Sequence, residues 1–167
     1  MNLSFINLDG KDMSAVQKMS ELAKSIVKEH YDPIIGSAQN DYMISLFQTE
    51  EAIASQIEHG YEYYFAADEI GNIGFFAFYQ RENELYLSKL YLKKEERGKG
   101  YSRRILSFLI DKAKEKGLDC ITLNVNKKNN ASEVYKKLGF EIIREEKNDI
   151  GHGFFMDDYV MRYNITG

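Results

Sequence analysis

The hydrophobic positions of the chain change period twice. Near the start, "NLSFINL" alternates apolar and polar residues at the two-residue period of a short strand. Beyond it Asp12 or Ser14 can cap a helix in which Met13, Val16, Met19, Ala23, Ile26 and Val27 recur at helical spacing. That helix is predicted to end near "HYDP", because Pro33 restrains the residue before it. A second helical zone runs from Asp41 through "MISLFQ" and "TEEAIASQIEHG", where the acids after Thr49 suit a first turn and Gly60 suits a stop.

The period then returns to two. "YEYYFAA", "NIGFFAFYQ" and "ELYLSKLYL" are aromatic and β-branched runs separated by the turn-like "DEIG" and "REN", which predicts three strands of an antiparallel meander. Helical spacing resumes with Ile105, Leu106, Leu109, Ile110 and Ala113 on one face, Arg104, Asp111, Lys112 and Glu115 on the other, and Gly117 as the stop. "CITLNV" reads as a strand, "NASEVYKKLG" as a short helix, and "FEIIREE" and "GFFMDDYVMRY" as the last strands. The order β α α β β β α β α β β has no linker, repeat or low-complexity tract, so residues 1–167 are expected to form one α+β or mixed α/β domain.

Composition narrows the classes of partner. With 22 basic against 26 acidic residues the net charge is −4, which argues against a general nucleic-acid binder and against a polybasic membrane surface. The opening "MNLSFINLDGKDMS" lacks the basic start and apolar run of a signal peptide, and no stretch approaches the roughly 18 apolar residues of a membrane span. A cytoplasmic location is the expectation. The one cysteine, Cys120, cannot form an internal disulfide, and His30, His59 and His152 are not spaced as metal ligands, so no metal is expected.

The candidate chemistry lies in "KLYLKKEERGKGYSRRIL", where a strand runs into two glycines flanked by Arg97, Lys99, Arg103 and Arg104 and then opens a helix. Cations at a helix start repel its dipole unless an anion lies between them. A Walker-type loop does not fit the spacing, and a dinucleotide fingerprint would need a glycine where Arg103 stands. Two readings stay open: a pyrophosphate over the amides from Gly98 through Lys99, Gly100, Tyr101 and Ser102 to Arg103, or a solvated turn of mixed charge.

This stretch resembles the acyl-CoA-binding signature of the GNAT superfamily of N-acetyltransferases, [QR]-x-x-G-x-[GA], with Arg97, Gly100 and Ser102 at its three named positions. Ser102 departs from the usual Gly or Ala. "NNASEVYKKLGF" resembles the family block N-x-x-A-x-x-x-Y-x-x-x-G-F, with Ala131, Tyr135, Gly139 and Phe140 in register. Lys128 stands where that block has Asn, with Asn129 and Asn130 just after it, and Asn129 is taken as the cofactor contact.

The resemblance implies a central, mixed, largely antiparallel sheet with helices on both faces. It also implies acetyl-CoA as co-substrate, with its pantetheine arm paired to the backbone of Leu90, Tyr91 and Leu92, and a backbone N–H there for the oxyanion. Tyr135 is then the acid for the leaving thiolate, and Glu84 the candidate base. The implied reaction is direct acetyl transfer to a primary amine of a small molecule or peptide, and the family suggests a possible homodimer. The rival reading, kept open by Ser102 and Lys128, is an acyl-CoA-binding or partner-binding module of the same shape without catalysis.

Other residues read more plainly from pattern alone. Tyr135 shares a helix face with Ala131, Val134 and Leu138, which by itself indicates packing. "MDDYVM" puts Asp157 and Asp158 on opposite faces of a strand, so only one can face a substrate, and a solvated edge is the expected reading. His152 reads as an exposed loop residue and Cys120 as small core. Tyr31, Tyr42, Tyr61 and Tyr63 are candidates for an aromatic wall around the acceptor.

Overall fold

A computed structural model of the chain describes residues 2–165. The elements are β1 (Ser4–Asn7), α1 (Met13–Ile35), α2 (Ser37–Phe47), α3 (Glu50–Glu58), β2 (Glu62–Ala67), β3 (Asn72–Arg81), β4 (Glu84–Leu92), α4 (Tyr101–Glu115), β5 (Cys120–Asn126), α5 (Ala131–Leu138), β6 (Glu141–Gly151) and β7 (Phe154–Asn164). This is a mixed α+β architecture, with strands predominantly antiparallel. Its described residues divide into two compact units, one of residues 2–79 and 89–101, the other of residues 80–88 and 102–165.

In the first unit the strand order is β1-β2-β3-β4, with β2 antiparallel to both β1 and β3. Its core gathers Val16, Met19, Ala23 and Ile26 of α1, Ile53 of α3, and Tyr63, Phe65, Phe75 and Ala77 of the strands. Asp12 is the cap of α1, its carboxylate accepting from the Ala15 amide at 3.1 Å. The predicted stop at Pro33 is corrected, because α1 continues to Ile35. Proline so near the end removes one helical hydrogen bond, and the last turn is held by Asp32, whose carboxylate takes Lys28 at 2.9 Å and the Asn40 amide at 2.9 Å. Gly36, at φ 87°, ends the helix. The single predicted second helical zone is two helices, since Thr49 starts α3 by accepting from the Ala52 amide.

In the second unit the order is β4-β5-β7-β6, with β4 and β5 parallel and the other pairs antiparallel. The period of two sorts these strands into two faces. Leu85, Leu87, Ile121, Leu123, Val125 and Met161 lie on one, all buried. Glu84, Tyr86, Thr122, Asn124 and Asp158 lie on the other. On α4 the predicted apolar positions Ile105, Leu106, Leu109 and Ala113 are buried.

Candidate active site

The first unit carries Leu90, Tyr91, Leu92, Arg97, Gly98, Lys99, Gly100 and Tyr101. Along β4 the buried positions Leu85, Leu87 and Lys89 keep strict alternation, which then breaks, leaving Leu90 and Tyr91 half-buried and Leu92 buried. The chain approaches closely here: a methyl group on Gly74 of β3 would meet the Tyr91 carbonyl oxygen at 2.3 Å and the Leu92 Cα at 3.0 Å. Tyr91 itself lies against Tyr31 and Phe75, with ring centroids 6.1 and 5.5 Å away.

After a short 3-10 turn at Lys94–Glu96, Arg97 folds back so that its Nε donates to the Leu92 carbonyl at 3.2 Å. Gly98 and Gly100 follow at φ 78° and 82°, with nothing within 4 Å of a Cβ at either. Glycine is needed there for left-handed backbone, while the space beside it is open. Lys99 bonds Glu96 at 3.0 Å, which holds its ammonium above the ordinary value. The turn delivers the chain to α4, whose first turn has no acidic residue. A 15-residue helix with its first amides beside an open glycine turn, and with arginines at 103 and 104, suits an anion.

Lys89 is the feature that sequence reasoning missed. Its Nζ, on a residue only 6% exposed, has four oxygens within hydrogen-bond distance, the Phe47 carbonyl at 2.6 Å, Gln48 Oε1 at 3.0 Å, Gln56 Oε1 at 3.1 Å and the Tyr63 hydroxyl at 2.5 Å, which its three N–H groups share. Burial pushes this ammonium down to about 7 and the Tyr63 phenol upward. The signal in the sequence is a lysine standing in the apolar phase of "LYLSK". Tyr63, expected in an aromatic wall, is instead fully buried.

The second unit carries Glu84, Ser102, Arg103, Asn129 and Tyr135. Ser102 is half-buried and Arg103 exposed in the first turn of α4. Asn129 is buried at the start of α5 and accepts the Ala131 amide through Oδ1 at 2.9 Å, so it starts that helix. Tyr135 is half-buried, its ring edge-on to Phe140 at 5.5 Å, and its carbonyl accepts the Phe140 amide at 3.0 Å. Gly139 turns the chain at φ 110° and Phe140 lies on Tyr163, so the Gly-Phe pair after α5 positions the tyrosine ring.

Glu84 is ion-paired with Arg81 at 2.8 Å, and that guanidinium sits 4.1 Å over the Tyr86 ring. The Tyr86 hydroxyl donates to Asn124 Oδ1 at 2.9 Å, and Asn124 Nδ2 donates to Glu146 at 3.1 Å and Asp158 at 3.3 Å. The solvated edge expected at Asp158 is corrected: β7 pairs with both β5 and β6, and Asp158 is 3% exposed. His152 is exposed in the turn between β6 and β7, and Cys120 is buried.

The arrangement is matched by known folds. PaiA N-acetyltransferase of Thermoplasma acidophilum, solved in complex with coenzyme A, superposes with a TM-score of 0.78 at 22% identity over 98% of this chain and 99% of that one. A GCN5-related N-acetyltransferase from Rhodopseudomonas palustris gives 0.80 at 13% identity over 99% and 97%. The ribosomal-protein-S18-alanine N-acetyltransferase of Escherichia coli gives 0.68 at 19% identity over 99% and 96%. The fold is therefore the one these N-acetyltransferases use. Residues 37–156 match the acetyltransferase (GNAT) domain, and the chain belongs to that family of acetyl-CoA-dependent enzymes. A comparison with curated proteins found no match.

Proposed function

We propose that this chain binds acetyl-CoA and transfers its acetyl group directly to a primary amine of a small molecule or peptide, both substrates being bound together. The observation that carries the reading is the open glycine turn at Gly98 and Gly100 feeding α4. Its amides from Gly98 to Arg103, with Arg97, Lys99 and Arg103 as charged partners, take the pyrophosphate. Leu90, Tyr91 and Leu92 offer main-chain groups to the pantetheine arm, where the burial pattern of β4 breaks step. Asn129, already fixed by its bond to Ala131, borders the same cofactor.

Acetyl-CoA supplies an activated carbonyl and a thiol leaving group. A backbone N–H in Leu90–Leu92 stabilises the developing oxyanion. Tyr135 gives its proton to the departing thiolate: a thiol titrates near about 8.5 and a phenol near about 10, so the tyrosine is protonated when needed. Glu84 takes a proton from the amine only when its pair with Arg81 opens. Residues 1–167 act as one catalytic domain. Thiol release from acetyl-CoA, followed with and without added primary amines, tests the proposal. Release that rises with amine is expected, and release at the same rate without amine would overturn it.

A further inference from the structure

The last carbonyls of a helix have no partner within it, and at the corner between α2 and α3 they are taken up by side chains. Ser20 of α1 donates to the Gln48 carbonyl at 2.6 Å, and Gln56 Nε2 of α3 donates to the Phe47 carbonyl at 3.2 Å. The third side chain comes from the sheet. Lys89 Nζ of β4 lies 2.6 Å from the same Phe47 carbonyl and 3.0 Å from Gln48 Oε1. Its other two contacts are Gln56 Oε1 of α3 and the Tyr63 hydroxyl of β2, so one buried nitrogen joins the corner, the next helix and two strands. Three N–H groups shared among four oxygens fix that nitrogen closely.

Lys89 also stands where β4 changes its neighbours. The pairing of β4 with β5 runs from Glu84 to Leu87 and ends there, while β3 borders the other edge of β4. Leu90, Tyr91 and Leu92, the main-chain partners proposed for the pantetheine arm, follow Lys89 directly. An arm laid along them adds the missing strand neighbour and stiffens this end of β4. The glycine turn assigned to the pyrophosphate comes after Leu92, so an arm running back along β4 brings its thioester to the Leu90 end, next to Lys89. The acceptor amine must reach the thioester carbon at that end, which the corner tied to Lys89 borders.

We infer that Lys89 is a positioning residue: it carries the seating of acetyl-CoA on Leu90–Leu92 into the α2–α3 corner, so that the acceptor side of the site is set only once the cofactor is in place. This rests on the acetyl-CoA binding proposed above. A shift of β4 moves the Lys89 nitrogen, and the corner follows because its Phe47 carbonyl and Gln48 side chain are bonded to that nitrogen. Binding is therefore ordered, acetyl-CoA first and amine second, and by linkage a bound amine tightens the cofactor in turn.

Hydrogen exchange read by mass spectrometry, with and without coenzyme A as the probe, tests the coupling without knowledge of the acceptor. In the wild type coenzyme A is expected to slow exchange at residues 90–92 and, by about threefold or more, at residues 47–53. The amides of Gln48, Ala52 and Ile53 report there, bonded at 2.9, 3.1 and 2.9 Å within the corner and the first turn of α3. Lys89→Met is expected to keep coenzyme A affinity by calorimetry and the slowing at 90–92, and to lose the slowing at 47–53. A lysine that only stabilises the fold would leave 47–53 indifferent to coenzyme A in the wild type. Should Lys89→Met fold poorly, Gln48→Met removes one of the two bonds from the corner side and is expected to reduce the same effect. No slowing at 47–53 in the wild type, or the same slowing in the folded variants, would overturn the inference. Failure of the acetyl-CoA reading looks different, since coenzyme A would then neither bind nor protect 90–92, and both proposals would fall.

Discussion

Replacing Lys89 with methionine keeps the length of the side chain and removes its ammonium from a site where four oxygens lie within 3.1 Å. Three of those oxygens keep another partner. Gln56 Nε2 still donates to the Phe47 carbonyl at 3.2 Å, and Tyr63 still donates to Gln56 Oε1 at 2.5 Å. Gln48 Oε1 is the acceptor left stranded, a cost of about 1–3 kcal/mol. The variant also removes the penalty of burying an ammonium, so the two effects oppose each other at pH 7.

The pH dependence separates them. The unfolded chain holds the Lys89 proton up to the ordinary value of 10.5, whereas burial makes the native chain release it near 7. Between these values the unfolded state binds more protons, so wild-type stability rises with pH and falls back as pH drops toward 7. Integrating the two titrations gives about 2 kcal/mol of added stability between pH 7 and 9. Lys89→Met lacks this gain. Urea denaturation of both proteins at pH 7, 8 and 9 reads it as a difference that shifts by about 2 kcal/mol in favour of the wild type. Parallel curves, with a difference constant to about 0.5 kcal/mol, would refute the reasoning and place a charged lysine in the core.

Three further outcomes are expected. Tyr135→Phe keeps acetyl-CoA affinity and lowers turnover about tenfold or more under conditions where chemistry is rate-limiting, as general acids contribute about 10² to 10⁴; unchanged single-turnover rates would remove Tyr135 from the acid role. Gly74→Ala forces a methyl group against the Tyr91 carbonyl at 2.3 Å, so thermal melting should show a loss of about 1–3 kcal/mol, and an unchanged melt would contradict that packing. Gly100→Ala meets no atom but must hold φ near 82°, at about 1–2 kcal/mol, so calorimetry should show coenzyme A affinity reduced several-fold.

Much of this was legible wherever one physical signal dominated. The two-residue alternation of "CITLNV" placed β5 and already split Ile121, Leu123 and Val125 from Thr122 and Asn124. Helical spacing likewise marked the buried positions Ile105, Leu106, Leu109 and Ala113 of α4. The signal failed where a local rule met a tertiary partner. Pro33 did not stop α1 because Lys28 and Asn40 hold Asp32, and Asn40 is a partner from the next helix. Asp158 looked exposed because alternation shows which face a residue takes, not whether its strand is an edge; the pairing of β7 with both β5 and β6 decides that. Lys89 was hidden because its acceptors come from residues 41, 42, 33 and 26 positions earlier in the chain.

Mass spectrometry of a panel of primary amines incubated with the protein and acetyl-CoA tests the central claim most directly. The account predicts at least one amine heavier by a single acetyl group, formed in step with released thiol and absent from controls without protein. Coenzyme A bound tightly, with no acetylated product anywhere across a panel of diamines, aminoglycosides and short peptides, would contradict it.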